Sequence, residues 1–313
     1  MERIITYSPA YTLVPTYECF NRCTYCNFRR DPGHDEWMSL AKAQKILDGL
    51  PSDEVIEILI LSGEVHPQSK RRSAWFQRIY QLCELALANG FLPHTNVGPL
   101  SYAEMSQLQQ VNVSMGLMVE QVTPALLKTV HARAPSKLPE VRLQQLEFAG
   151  KLRIPFTTGL LLGLGETVDD WQESLAAIAQ SHQKWHHIQE VILQPHQPGQ
   201  TQAELRSPCQ GKTLLQAIKI ARAVLPVDIT IQIPPNLIRS DQALLACIAA
   251  GARDLGGIGP IDEVNPDYDH RRRESTEALL KAQAWGLRRR LPVYEKYDDW
   301  LSDRLITAVK KWR

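Results

Sequence analysis

The stretch "TYECFNRCTYCNFRR", residues 16–30, places Cys19, Cys23 and Cys26 within eight positions, and no fourth cysteine follows before Cys83. Three thiols at C-x3-C-x2-C spacing predict a site for zinc or for an iron–sulfur cluster. A closed structural zinc site needs four ligands, and a 4Fe–4S cluster normally takes four cysteines. The missing fourth cysteine is therefore the feature on which the interpretation of this chain depends.

The other candidate ligands in the sequence are weaker. His34, in "RRDPGHDEW", could complete a Cys3His zinc site, but its polar, turn-like surroundings favour a solvent-facing side chain. Cys83 and Cys247 fall at apolar positions with helical spacing, so we expect both in the core. Cys209 lies in the polar segment "RSPCQG", where we expect no ligand role.

Composition excludes several classes of function. The 313 residues are 44% hydrophobic and 22% charged, which is typical of a globular protein. With 35 basic and 34 acidic residues, the net charge of +1 offers no overall attraction for nucleic acid or an anionic membrane. The longest apolar runs are too short for a membrane span, and the N-terminus lacks a secretory pattern. We expect a cytoplasmic protein that binds neither nucleic acid nor membrane.

Short apolar strands alternate with helices along the whole chain. A β-rich stretch around Tyr11–Glu18 leads into the cysteine loop, and later strands such as "VIEILIL" (55–61) and "IQEVILQ" (188–194) are short and mostly apolar. About eight such alternations predict an α/β fold with a covered parallel sheet. A doubly wound sheet is one candidate, but the length and the missing nucleotide-fold start favour a (β/α)8 TIM-like barrel, closed or partly open.

In a barrel, functional residues lie in the loops after the strands, and the cysteine loop takes that position after the first strand. We expect a single barrel domain over residues 1–313, with a C-terminal helical extension at about 271–313. That extension should contain a final basic helix near 271–290, flanked by the runs "DHRRRES" and "RRR".

Three cysteine ligands leave one iron of a 4Fe–4S cluster open to an added ligand. The amino and carboxylate groups of S-adenosyl-L-methionine suit that position, and one-electron reduction then yields a radical. The C-x3-C-x-Tyr-C pattern accordingly resembles the radical SAM superfamily. The resemblance implies a barrel of that type, a 4Fe–4S cluster on Cys19, Cys23 and Cys26, and S-adenosyl-L-methionine as second cofactor.

Further segments resemble the parts of that superfamily that hold S-adenosyl-L-methionine. "LSGE" (61–64) is similar to its glycine–glutamate motif, and "TTGLLLGLGET" (157–167) resembles its fifth-strand adenine motif rather than G-x-G-x-x-G. "SMGLMVE" (114–120) offers two polar side chains that could equally be satisfied inside the barrel. The resemblance implies these cofactor contacts: Tyr25, Ser62, Gly63, Glu64, Ser114 and Glu120.

The similarity extends to one family within the superfamily, the small subunit of FO synthase, over about residues 5 to 300. The segments that carry it, besides the cysteine loop, are "MGLMVE", "IPFTTGLLLGLGET", "HIQEVILQ", "IQIPPNL", "GARDLGGIGPIDEVNPD" and "LRRRLPVYEKY". One segment departs from the pattern: "LQPHQPGQ" (193–200) stands where we expect Asn-Phe and a basic residue. The substrate contacts of that loop are therefore in doubt.

The family implies a radical lyase. Its substrate is the hydroxybenzyl adduct of 5-amino-6-(D-ribitylamino)uracil, which it cyclises with loss of ammonia to the deazaflavin FO, a precursor of coenzyme F420. The implied partners are the enzyme that transfers the hydroxybenzyl group and an electron donor. The alternatives are a biotin-synthase-like enzyme, the hydroxybenzyl-transferring enzyme itself, or a zinc-stabilised barrel without redox chemistry.

Polar residues near strand ends are candidates for contacts with such a substrate. Asn236 could read a uracil edge, and Asn265 and Asp267 could bind sugar hydroxyls. Because Asn265 and Asp267 lie next to proline, turn formation is their alternative role. Thr157 and Thr158 point from a strand end. "GGIGP" (256–260) is interpreted as close backbone packing, since the implied substrate carries no phosphate.

Overall fold

The protein forms a closed parallel β-barrel surrounded by helices. The computed structural model describes residues 3–204 and 206–313. Within these ranges, eight consecutive parallel strands pair in sequence order, and β1 pairs with both β2 and β8, which closes the barrel. The strands are β1 (Ile4–Leu13), β2 (Glu57–Leu61), β3 (Leu92–Asn96), β4 (Ser114–Gly116), β5 (Phe156–Leu162), β6 (Ile188–Pro195), β7 (Thr230–Gln232) and β8 (Asp254–Ile258). The barrel prediction is confirmed, in its closed form.

Helices follow the strands and cover the outer face of the barrel. They are α1 (Leu40–Asp48), α2 (Arg72–Ala88), α3 (Tyr102–Leu108), α4 (Pro139–Lys151), α5 (Val168–Trp185), α6 (Gly211–Val224) and α7 (Asp241–Ala250). The sequence predicts Ser39 and Thr167 as helix N-caps. Both predictions are confirmed, because Ser39 accepts from the backbone of Lys42 and Thr167 accepts from that of Asp170. In the described ranges, no helix is both long enough and apolar enough to cross a membrane.

The first strand lies earlier than the sequence predicts. It ends at Leu13, so residues 14–18 of the predicted stretch Tyr11–Glu18 are already part of the cysteine loop. The error has a physical source: the strand contains a buried Ser8 and Pro9, which has no N–H for a central strand. A register shift between Thr6 and Ser8 in the pairing with β8 accommodates the proline.

The C-terminal segment also differs from the prediction. The basic helix α8 covers only Arg273–Lys281, and the predicted helix near 271–290 is wrong beyond that point, because Gly286–Arg289 forms a ninth strand, β9, paired with β1. A last helix, α9 (Asp303–Lys310), follows. Five side chains of this segment pack on residues at the starts of barrel strands, namely Ile56, Leu92 and Val113. The five are Leu291, Val293, Tyr297, Leu305 and Val309. The C-terminal segment therefore closes the amino-terminal end of the barrel.

Candidate active site

Two adjoining cavities occupy the described barrel. The upper cavity, at the carboxyl ends of the strands, is lined by all three clustered cysteines together with Gly63, Glu64 and Glu120 among others. The lower cavity extends toward the amino-terminal end, and its lining includes charged and amide side chains such as Glu57, Glu190 and Asn236. In the described part of the chain both cavities share these lining residues: Leu61, Asn96, Met118, Ile192, Gln194 and Val264. A ligand in the upper cavity therefore lies next to one in the lower cavity.

A buried carboxylate holds the cysteine loop in shape. Glu18 is 2% exposed and accepts hydrogen bonds from the Gly33 backbone and the Trp37 indole, while Arg71 lies 2.7 Å away. Burial acts to raise the pKa of Glu18, but these donors and the charge of Arg71 hold the pKa below its ordinary value. Glu18 therefore stays ionised and ties both ends of the loop together.

The three cysteines line the upper cavity as free thiols. Burial raises the pKa of Cys19 to about 11 and that of Cys23 to about 12, and it also raises the pKa of Cys26. Such thiols stay protonated near neutral pH unless a cation compensates the thiolate charge, as bound iron does. This donor set therefore fits an iron–sulfur cluster.

A site for a single metal ion is not seen. In the described ranges no three His, Cys, Asp or Glu side chains are arranged to hold one. His34 is exposed, and its Nδ1 lies 3.3 Å from the Pro32 carbonyl oxygen rather than in the cavity. The predicted solvent-facing position of His34 is confirmed. The buried positions of Cys83 and Cys247 are also confirmed.

The turn after β2 joins the cysteine loop to the barrel. A Cβ atom on Gly63 would lie 2.1 Å from the Glu18 carbonyl oxygen, so glycine is required by the crossing of the loop. The cofactor contact predicted for Gly63 stays a prediction, and the residue does line the upper cavity. Ser62 is buried, contacts the Gly63 carbonyl oxygen at 2.9 Å and accepts from the Trp75 indole. Its side chain is thus engaged in holding the turn.

Glu64 faces the upper cavity inside a set of donors. Its carboxylate accepts hydrogen bonds from Asn21 at 2.8 Å, from Arg142 at 3.0 Å and from Ser136. A Cβ atom on Gly98 would lie 2.4 Å from the Glu64 side chain, so that glycine makes room for it. Sequence analysis missed these donors. Arg142 gave a usable signal, since it shares the apolar stripe of α4 with Leu146 and Ala149.

Glu120 is the second carboxylate of the upper cavity. Its backbone has a φ of 67°, a strained conformation for a residue other than glycine, and Lys137 lies 2.5 Å from its carboxylate. Burial opposes ionisation of Glu120, but Lys137 and Arg142 hold its pKa below the ordinary value.

The Tyr25 hydroxyl lies 3.0 Å from Nε2 of His131, and burial lowers the pKa of that histidine to about 4.

Two predicted contacts lie away from the cavities. Ser114 is fully buried at the start of β4, where its Oγ bonds to the Pro292 carbonyl oxygen at 2.6 Å and to His94 at 2.7 Å. Thr158 is fully buried and donates to the Leu117 carbonyl oxygen at 2.8 Å. Its neighbour Thr157 lines the lower cavity instead, as strand alternation requires.

The wall of the lower cavity also includes the predicted substrate residue Asn236. Asn236 lines it and donates to Asp262 at 2.8 Å, while its Oδ1 is buried without a partner in the part of the chain that the structure describes. Asn265 donates to the same Asp262 at 3.1 Å and is 6% exposed. Asp267 accepts from the backbone of Gln200. Asn265 and Asp267 therefore act in loop structure, the role expected of residues beside proline.

The segment 193–200, which departs from the family pattern, packs against neighbouring loops. A Cβ atom on Gly199 would lie 2.1 Å from the side chain of Asn27 in the cysteine loop. Gln197 donates to the Leu237 carbonyl oxygen at 3.3 Å. Gln194 differs from the rest of the segment, because it lines both cavities.

A network of buried charges forms the floor of the lower cavity. Arg290 donates to Asp254 at 2.7 and 2.9 Å and lies 2.6 Å from Glu190. Glu190 also accepts from Tyr294 at 2.8 Å and from Thr157 at 3.1 Å. Arg290 and Tyr294 come from the C-terminal segment, so this segment supplies the cation of the floor as well as closing the barrel. Sequence analysis did not find this network.

Glu190 is expected to make the stability of the folded protein depend on pH. Burial raises its pKa to about 7, with Arg290 opposing and Asp254 adding to the effect. Because this pKa lies above the ordinary value of 4.5, protonation favours the folded state, and the stabilisation is lost as pH rises through about 7. We expect Glu190→Gln to gain about 1–3 kcal/mol of stability relative to wild type between about pH 5 and about pH 8. Thermal unfolding midpoints measured anaerobically test this, and a difference that does not grow with pH contradicts it.

The barrel and its three-cysteine loop define a radical SAM enzyme. The Radical SAM superfamily model matches residues 13–178. In the FeFe-hydrogenase maturase of Carboxydothermus hydrogenoformans the same fold recurs, with a TM-score of 0.74 at 17% identity over 99% of this chain and 76% of that one. A methylornithine synthase has the same fold with a TM-score of 0.67 at 14% identity, over 92% of this chain and 84% of that one. Superfamily membership brings the 4Fe–4S cluster and S-adenosyl-L-methionine, as the resemblance of the cysteine motif implied.

Closer relatives refine the assignment. The chain is 64% identical over 310 residues to the 7,8-didemethyl-8-hydroxy-5-deazariboflavin synthase of Trichormus variabilis, covering 99% of this chain and 91% of that protein. It is 61% identical to that of Trichodesmium erythraeum (100% and 98% covered) and 54% identical to that of Gloeobacter violaceus (99% and 94%). The chain belongs to the 7,8-didemethyl-8-hydroxy-5-deazariboflavin synthase family. The zinc-stabilised barrel without redox chemistry is thereby wrong.

Proposed function

We propose that this enzyme cyclises the hydroxybenzyl adduct of 5-amino-6-(D-ribitylamino)uracil, with loss of ammonia, to the deazaflavin FO. The observation that carries the proposal is the cysteine-lined cavity opening onto a polar one, in a chain that shares 64% identity with a relative of that name. The biotin-synthase-like enzyme and the hydroxybenzyl-transferring enzyme are less well supported, since relatives at 54–64% identity over nearly the whole chain carry the synthase name.

The cofactors have an assigned place in this proposal. Cys19, Cys23 and Cys26 would ligate the cluster, since they line one cavity as free thiols. Together, the reduced cluster and S-adenosyl-L-methionine supply a carbon-centred radical able to abstract hydrogen. The chain's own residues bind and orient the two ligands and keep water out.

The carboxylates of the upper cavity are the proposed contacts for the charged methionine end. Glu64 holds three donors in place, and a carboxylate has about four acceptor positions, so it retains room for an ammonium group. Lys137 and Arg142 line the same cavity and suit a ligand carboxylate. Glu120 fixes Lys137, and Tyr25 forms an aromatic wall at the cavity.

The lower cavity is the proposed substrate site. Its shared wall with the upper cavity is mainly apolar, whereas deeper positions carry amide and hydroxyl groups. The Oδ1 atom of Asn236, which has no partner among the described residues, suits a uracil N–H. Thr157, unlike Thr158, lines the lower cavity and can contact the substrate there. Ser114, Thr158, Asn265 and Asp267 have no place in this proposal, because their side chains are engaged in other contacts.

The setting of the enzyme follows from its chemistry. We expect a functional partner that supplies the adduct by transferring a hydroxybenzyl group, and a one-electron donor for the cluster. Free thiols at all six cysteines suit a reducing compartment, so we place the protein in the cytoplasm. We also treat residues 1–313 as one functional domain, since β9 extends the same sheet.

An anaerobic assay with reduced enzyme, S-adenosyl-L-methionine and the enzymatically made adduct tests the function. We expect 5′-deoxyadenosine, followed by chromatography, to appear together with FO, followed by its fluorescence. Deoxyadenosine without FO would overturn the proposed substrate while leaving the radical chemistry in place. FO formed from tyrosine and the aminouracil without a partner enzyme would contradict the separate partner.

A further inference from the structure

The floor of the lower cavity carries an excess of negative charge. Among the described residues, it holds three buried carboxylates, those of Glu57, Glu190 and Asp254, and one guanidinium, that of Arg290. His94 adds no compensating charge near neutral pH, because burial lowers its pKa below the ordinary value. One guanidinium therefore faces three buried carboxyl groups.

Two of the three carboxylates have protein partners. Asp254 accepts from Arg290, from the Gly256 backbone at 2.6 Å and from Thr6. Glu190 lies beside Arg290 and accepts from hydroxyl groups as well. Their burial is therefore compensated by the protein itself.

Glu57 is different. It is 6% exposed and lines the lower cavity from the first position of β2. Within residues 3–204 and 206–313 its carboxylate forms no hydrogen bond or ion pair. It stands two positions before Leu59 and four before Leu61, on the inward face of the same strand, and both of these residues also line the cavity.

The Glu57 carboxylate faces the cavity without a hydrogen-bond donor among the described residues, so a ligand in the cavity can supply that donor. The described residues offer no further cation at this position, and the cavity supplies the access. The complementary chemistry is a nitrogen-bound proton donor, either an ammonium or an amide N–H. The adduct named under the proposed function has both, in its amino group and its uracil ring.

We propose that Glu57 binds a nitrogen-bound proton donor of the substrate and so sets the depth and orientation of the substrate beneath the radical-generating cofactors. The inference rests on the proposed function and assigns a positioning residue to it. It predicts a residue that raises substrate affinity without stabilising the empty enzyme.

The test uses Glu57→Gln and Glu57→Ala in the anaerobically reconstituted enzyme, with Glu54→Gln as an exposed control three residues away. Both Glu57 variants should raise the adduct Kd and KM at least about tenfold, the effect of losing one charged hydrogen bond. Affinity for S-adenosyl-L-methionine and deoxyadenosine formation without adduct should stay within about twofold of wild type. The control should match wild type throughout.

Thermal midpoints without substrate separate binding from a structural role. Glu57→Gln should melt at or above the wild-type midpoint, because the Glu57 carboxylate makes no hydrogen bond or ion pair in the described structure that the variant would lose. A lower midpoint, or adduct affinity within about twofold of wild type in both variants, overturns the inference. A wild-type enzyme that cleaves S-adenosyl-L-methionine but does not bind the adduct overturns the proposed function, and the role of Glu57 with it.

Binding of 6-(D-ribitylamino)uracil, the fragment that lacks the 5-amino group, then identifies the donor. Weaker binding of this fragment to Glu57→Gln points to a uracil N–H. A defect seen with the adduct but not with the fragment points to the amino group that leaves as ammonia. Both results support the inference.

Discussion

Alanine in place of any one of Cys19, Cys23 or Cys26 is expected to reduce iron and sulfide in the reconstituted protein to background and to abolish deoxyadenosine formation. Changes to residues outside a metal ligand set already cost about 10–100-fold, so loss of a ligand should exceed about 100-fold. Because each thiol lines the upper cavity and none has a spare cysteine beside it in the described structure, the chain offers no replacement. Iron and sulfide analysis, the cluster absorption spectrum and chromatography of deoxyadenosine measure the outcome.

Cys83→Ala and Cys247→Ala are the matched controls. Both thiols are buried, in α2 and α7, so their loss should cost about 1–2 kcal/mol of folding free energy through packing and weak hydrogen bonds. Their cluster content should equal that of wild type. A folded Cys83→Ala protein without a cluster would show that the cysteines have been sorted wrongly.

The features that sequence predicted well are local ones. The spacing of the three cysteines specifies a ligand set by itself. The repeated alternation of short apolar strands with helices likewise predicts the strand and helix order of the barrel. The caps at Ser39 and Thr167 are equally local, since each bonds to a residue three positions ahead. Properties encoded within a few residues could therefore be predicted with their positions.

The features that sequence missed depend on contacts between distant segments. Glu64 and Arg142 are 78 positions apart. Glu190 lies on β6 of the barrel wall, whereas its partner Arg290 lies in the C-terminal segment. No periodicity pairs such residues. β1 was misplaced because Pro9 and Ser8 break the apolar pattern, while the neighbours that stabilise the strand are β2, β8 and β9.

Some of the missed residues nevertheless had a local signal. Glu57 and Glu190 are charged residues inside the otherwise apolar segments "VIEILIL" and "IQEVILQ". A carboxylate at an inward position of a buried strand requires a partner or a ligand. Strand parity likewise separates Thr157, which lines the cavity, from Thr158, which does not.

Arg290→Met is expected to destabilise the protein by about 3–5 kcal/mol, the range for removing one partner of a buried ion pair. The side chain of Arg290 is 10% exposed, and those of Glu190 and Asp254 are 3% and 0% exposed. Methionine preserves much of the volume but leaves two buried carboxylates without a cation. The thermal unfolding midpoint of the anaerobically reconstituted protein measures the loss, which should amount to several degrees.

Arg304→Met provides the matched control, because it removes the same charge from an exposed pair. Arg304 lies 2.6 Å from Glu84, with side chains 53% and 39% exposed, so its loss should cost at most about 1 kcal/mol. Adding Glu190→Gln to Arg290→Met should restore part of the stability, since it removes one of the uncompensated charges. If Arg290→Met melts like Arg304→Met, the floor is not held by its buried charges, and the C-terminal segment closes the barrel by apolar packing alone.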